Sequence, residues 1–201
     1  MARIVSDRAD KTDQVVVLPS SLEDPSKPVP GMYRLGVFLA CASIFAFFIS
    51  LVIAYVWRSR SRSGWDPIML PPILWWSTGI ILSSSVVFET GRRVFRRGKW
   101  RTASYLFLAT LCMGTAFVAC QMTAWRALVD QGAYLMGNPH GSFFYLFTGL
   151  HAAHLLGGMI ALAILVFGRR KRRELVDVIA YYWHFLGVLW ILLFVTLRQV
   201  T

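Results

Sequence analysis

The chain has 201 residues, of which 56% are hydrophobic and 15% charged. A soluble domain of that length carries more charge, so the composition excludes an ordinary water-soluble globule and points to an integral membrane protein. The net charge of +11 would suit a nucleic-acid binder, but the basic residues are gathered between apolar runs, as the loop anchors of a membrane protein are, and no nucleic-acid partner is expected.

Residues 1–31 are polar and carry Pro19, Pro25, Pro28 and Pro30. They read as a mostly disordered tail, and they lack the apolar core of a signal peptide. Residues 32–201 read as one membrane domain. Its first span runs from about Tyr33 to Trp57, with Tyr55 and Trp57 as interfacial anchors. The second, Met69 to Thr90, opens on Pro71 and Pro72 in its first turn. The dense basic segment Gly91–Arg101 reads as a loop. The third span covers Thr102 to Trp125, and the turn signal Gly137-Asn138-Pro139 precedes the fourth, Ser142 to Phe167. A second basic cluster, Arg169 to Arg173, leads to the fifth, Val176 to Leu197. The fold class predicted is all-α, a bundle of five transmembrane helices. Placing the N-terminus on the cytoplasmic side puts 16 of the 21 Lys and Arg residues inside, a clear positive-inside bias. Cys41, Cys112 and Cys120 all sit in apolar runs without a C-x-x-C and read as small packing residues.

The fourth span reads GSFFYLFTGLHAAHLLGG from Gly141 to Gly158. His151 and His154 stand three residues apart, on one side of a helix, among small residues. Two histidines on one helix cannot sandwich a haem. Counted from the basic helix ends, His154 lies roughly 21 Å deep and His184 of the fifth span roughly 12 Å, a mismatch of about 9 Å that denies a haem between them and with it a b-type cytochrome anchor. His140 reads as an outer-loop residue. No acidic residue lies deep in a span, the E-x-x-H pattern of di-iron bundles is absent, and no metal site is expected. There is no Walker loop, nucleophile elbow or dinucleotide fingerprint, so no catalytic residues are assigned. His151, His154 and His184 are expected to make hydrogen bonds between helices, with a proton relay or a lipid-headgroup contact as the alternatives. Gln121 is expected to do the same, with Trp125 one turn on as an interface anchor. Ser77, Thr78 and Ser83–Ser85 are expected to let helix backbones approach closely. Glu89 stands three and four residues before Arg92 and Arg93, which reads as an interfacial ion pair or, alternatively, as a proton-collecting or lipid-contacting surface on the cytoplasmic side.

These stretches resemble subunit III of the haem-copper oxidases, the cytochrome c oxidase family, in its short five-span bacterial form. The segment Phe143–Gly158 resembles the family's phenylalanine-rich T-G-x-H-x-x-H stretch. Tyr181-Tyr182-Trp183-His184-Phe185 with Trp190 resembles its W-Y-W-H-F stretch, which adds Tyr182 and Trp183 to the interhelical polar residues. Ser77-Thr78 with Leu82-Ser83-Ser84 is similar to its N-T-x-x-L-L-x-S-S stretch, and Gln121 matches a glutamine near the end of its third span. The chain departs from the family's pattern at Ile44, Ala124 and Gly187, where members often carry acids. The resemblance implies a non-catalytic subunit of a respiratory terminal oxidase in the bacterial inner membrane. It would bind no haem or copper itself, pack on subunit I and through it subunit II, hold phospholipid, stabilise subunit I and support proton uptake on the cytoplasmic side. It leaves room for a larger respiratory supercomplex. An accessory subunit of a nitric oxide reductase, or of a quinol oxidase, is the alternative that these motifs do not separate.

Overall fold

The computed structural model describes residues 32–60, 69–132, 139–168 and 172–199. The tail 1–31 lies outside them. The described residues form five α-helices and no strand: α1 (Met32–Arg60), α2 (Ile73–Arg96), α3 (Trp100–Asp130), α4 (Pro139–Phe167) and α5 (Arg173–Gln199). Each is long and apolar enough to cross a membrane. The shortest has 24 residues and the longest 31. At about 1.5 Å per residue even the shortest exceeds a hydrocarbon core of about 30 Å.

The helices run past their apolar segments, and the reason differs at each end. Pro71 and Pro72 precede α2 instead of forming its first turn. Their carbonyls accept from the amides of Leu74 and Trp75, each at 3.1 Å. At the other end α2 continues through the arginine-rich segment expected to be loop, because Glu89 pairs with Arg92 and Arg93 along the helix. Only Arg97, Gly98 and Lys99 then separate α2 from α3. Gly98 takes φ +79°, its amide donates to the Phe95 carbonyl at 2.9 Å, and the Lys99 amide reaches back to Val94 at 3.3 Å. That is a Schellman ending, which needs a residue free to adopt the left-handed region. Pro139 starts α4, where its missing N–H costs nothing. His140 is thus in a helical first turn, fully buried with its ring 5.9 Å from that of Tyr55, and not in a loop.

Helices α2, α3, α4 and α5 pack in a ring, each antiparallel to its two neighbours, as in an up-down bundle. Aromatic side chains fill the middle: Phe88, Phe107, Phe117, Trp183 and Trp190 are all buried. Glycines let the helices close on them. A Cβ on Gly114 would stand 3.1 Å from the Trp183 ring, and one on Gly158 would stand 3.1 Å from the Tyr182 ring. Helix α1 lies outside this ring, and none of its Cα atoms comes within 8 Å of another described helix. It leans on α4 through Phe48, 5.6 Å from the His154 ring, and through Tyr55, whose ring meets Phe143 and Phe147. It touches α5 through Phe38 against Tyr181, and an apolar groove of about 340 Å³ lined by Phe38, Ala42, Phe185 and Val188 separates the two.

Candidate functional site

Polar side chains concentrate in two places, the interior of the four-helix ring and its arginine-rich end. The interior ties are made by tryptophans. Trp183 Nε1 donates to Ser84 Oγ at 3.1 Å, and two turns further along α5 Trp190 Nε1 donates to Thr78 Oγ1 at 2.9 Å. Both bonds join α5 to α2. Between α3 and α4, Trp125 Nε1 donates to Thr148 Oγ1 at 2.9 Å. Between α3 and α2, Gln121 Nε2 donates to Ser77 Oγ at 3.1 Å. Tyr182 Oη donates to the His154 carbonyl at 3.0 Å, which joins α5 to α4.

His151 and His154 do something different from the interhelical bonding expected of them. His154 Nδ1 lies 2.7 Å from the Leu150 carbonyl of its own helix. Both ring nitrogens of His151 are buried without a hydrogen-bond partner among the described residues. Its contacts are with rings, Phe117 at 5.8 Å and Trp190 at 5.2 Å. The two imidazoles leave α4 about 60° apart, so His151 enters the four-helix interior while His154 meets α1. The depths of His154 and His184 differ less than their positions along the sequence suggest. Gly158 packs between Tyr182 and Leu186, which puts His184 level with it, about one turn, or 5.4 Å, from His154. Direction separates them more than depth: His154 faces Phe48 of α1, and His184 faces Phe88 and Glu89 of α2.

At the arginine-rich end Asp177 is the hub. Its side chain is 8% exposed and accepts from Arg92 Nε at 2.8 Å, Arg96 Nη2 at 2.9 Å and Arg34 Nη2 at 3.5 Å. One carboxylate thereby joins α5 to α2 and to α1. Glu89 accepts from Arg92 Nη1 and Arg93 Nε, each at 3.1 Å, and His184 Nε2 stands 3.7 Å away. Arg92 bridges the two carboxylates, and Arg93 is mostly exposed. Among the described residues no three His, Cys, Asp or Glu side chains converge as a metal-ligand set.

Comparison with known proteins decides the family. A sequence profile described as "Cytochrome c oxidase subunit III" matches residues 24–200. The chain belongs to the cytochrome c oxidase subunit III family. It is 31% identical to the probable cytochrome c oxidase subunit 3 of Mycobacterium tuberculosis over 176 residues, 82% of this chain and 86% of that one. It is 30% identical to cytochrome c oxidase subunit 3 of Corynebacterium diphtheriae over 182 residues, covering 84% and 88%. A probable subunit 3 from Nocardia farcinica is 29% identical over the same length, with the same coverage. A subunit III with five membrane-crossing helices is a multi-pass membrane protein and a component of a multisubunit oxidoreductase.

Within a subunit III of this form, two of the sites that lack the family's acids are closed by packing. Ala124 is fully buried, and a Cβ on Gly187 would lie 3.3 Å from Ser85 Oγ. Sequence reasoning missed Asp177 and Arg34. The available signal was an acid placed four residues after the basic cluster ends, at the entry of an apolar run, where only a paired carboxylate is tolerated. It also read Trp125 as an anchor, whereas the indole reaches inward to Thr148.

Proposed function

We propose that this chain is the non-catalytic third subunit of a respiratory haem-copper terminal oxidase in a bacterial inner membrane, with its N-terminal side cytoplasmic. It braces subunit I, which carries the haems and copper and in turn holds subunit II, while the complex reduces dioxygen to water and pumps protons. The observation that carries this reading is how the interior polar groups are used. The indoles of Trp125, Trp183 and Trp190 are spent on hydroxyls of neighbouring helices, which makes the four-helix ring a self-tied block and suits a brace. The bacterial relatives named subunit 3 support the compartment and the complex. Haem and copper belong to the partner subunits, and this chain binds neither.

A further role rests on the arginine-rich end, where basic residues favour the cytoplasmic face. Glu89, with His184 beside it and the mostly exposed Arg93 on its flank, supports proton uptake there by holding a carboxylate and an imidazole at the surface. Phospholipid chains suit the apolar groove between α1 and α5.

The test is affinity purification of this chain from native membranes in mild detergent. A haem-copper subunit I and its haem spectrum are expected in the eluate. Recovery without such a subunit, or with a nitric oxide reductase core, would overturn the proposal. In the intact complex, Asp177→Ala is expected to shorten the time over which turnover is retained while leaving the initial rate near that of the parent.

A further inference from the structure

Four helices bring polar residues to one level of the ring. The Trp125–Thr148 bond fixes the register of α3 against α4. One turn along both helices toward the arginine-rich end, Gln121 of α3 comes opposite His151 of α4. The side-chain contacts agree with that register. His151 packs on Phe117, one turn before Gln121, and on Trp190 of α5. Trp190 donates to Thr78, and the adjacent Ser77 accepts from Gln121. Ser77, Gln121, His151 and Trp190 are thus one buried layer, each 1% exposed or less.

The hydrogen bonding of this layer is incomplete in a specific way. Gln121 uses its amide nitrogen on Ser77, and its Oε1 is buried with no partner. His151 has neither Nδ1 nor Nε2 satisfied. His154, three residues on, shows that a ring nitrogen in this helix can turn back to a carbonyl of the preceding turn. His151 does not do so, and its ring is held inward between Phe117 and Trp190. A neutral imidazole offers one donor and one acceptor, and the amide oxygen adds a second acceptor. The amide oxygen and one ring nitrogen, on facing helices, are what a single water satisfies, since it donates twice and accepts once or twice; the second ring nitrogen lies on the opposite edge of the imidazole and is not reached by that water. The same atoms are unfavourable when dry, because a buried unpaired polar group forfeits its hydration without return.

We propose that a water molecule is bound inside the ring between His151 and Gln121 and links α4 to α3. It donates to Gln121 Oε1 and makes its second hydrogen bond with one ring nitrogen of His151, donating to it as the imine or accepting from it as the N–H. His151 is then a water ligand that completes a four-helix polar layer beside the rings of Phe117 and Trp190.

A structure of the detergent-purified protein, in its complex, at a resolution that shows ordered water tests this. An isolated peak within hydrogen-bonding distance of Gln121 Oε1 and a His151 nitrogen is expected. A direct His151–Gln121 bond, or continuous apolar packing with no such peak, overturns it. A thermal double-mutant cycle with His151→Phe and Gln121→Met supplies the second measurement. Each single variant is expected to lower the apparent Tm by about 2–4 °C, and the double variant clearly less than the two falls combined, because a shared water is lost only once. Additive falls overturn the shared site. Should either variant fail to accumulate, the parent structure alone decides.

Discussion

At the scale of single residues, an indole ties these helices where an imidazole does not. Its N–H is always a donor, it has no second nitrogen to satisfy, and its large ring fills the ring interior while the hydrogen bond is made. Trp183 and Trp190 each find a hydroxyl on α2 in this way. Trp190→Phe keeps most of the ring and removes one interhelical bond, so it is expected to cost about 0.6–1.7 kcal/mol, a fall of a few degrees in apparent Tm by differential scanning fluorimetry. His154→Phe keeps a ring against Phe48 of α1, breaks a bond within α4 only and should lower Tm less than Trp190→Phe does. The two carboxylates should separate more widely. Asp177 is 8% exposed and Arg92 13%, so Asp177→Ala leaves a nearly buried guanidinium short of a partner and should cost on the order of 3 kcal/mol. Glu89 is 28% exposed and Arg93 72%, so Glu89→Ala should cost under about 1 kcal/mol by the same assay. Equal losses from the two substitutions would contradict the ranking.

At the scale of elements, the contrast is between α5 and α1. Helix α5 is bonded to α2 at Trp183 and Trp190, to α4 at Tyr182 and to the arginine cluster at Asp177. Helix α1 is held at intervals, by Arg34, Phe38, Phe48 and Tyr55, with a groove between. Local stability follows the density of such contacts, so amide hydrogen exchange in detergent should be faster across Phe38–Phe47 than across Tyr182–Trp190. Equal protection would mean that α1 is as firmly seated as the ring. Closeness of approach also has a measurable counterpart. Gly158 lies under the Tyr182 ring, and Gly158→Val should push α4 from α5 and destabilise by about 1–3 kcal/mol, read as a lower Tm and as faster exchange at both helices.

At the scale of the whole molecule, five long apolar stretches fixed the number and order of the helices, because hydropathy is a property of each stretch alone. Helix ends were less legible. The segment Arg92–Arg96 looks like a loop by charge, yet intrahelical pairing with Glu89 keeps it helical, and a pairing of that kind outweighs a count of polar residues. His140 looked like a loop residue because the turn signal stood just before it, yet Pro139 begins the helix. The polar interior was half legible. Gln121, Trp183 and Tyr182 were recognised as residues that reach across helices, but which atoms they meet depends on the register between helices. That register is set by glycines beneath aromatic rings and not by any single motif. His151 shows the limit most clearly, since spacing puts it on a helix face and only packing shows that no neighbour meets its nitrogens.

The bend at Gly98 bears on how such a chain is made. The three residues between α2 and α3 hold the two as an antiparallel hairpin whose turn sits at a single face of the bilayer. The guanidinium groups crowding that turn resist passage across the hydrocarbon and so oppose inversion of the pair as it is inserted.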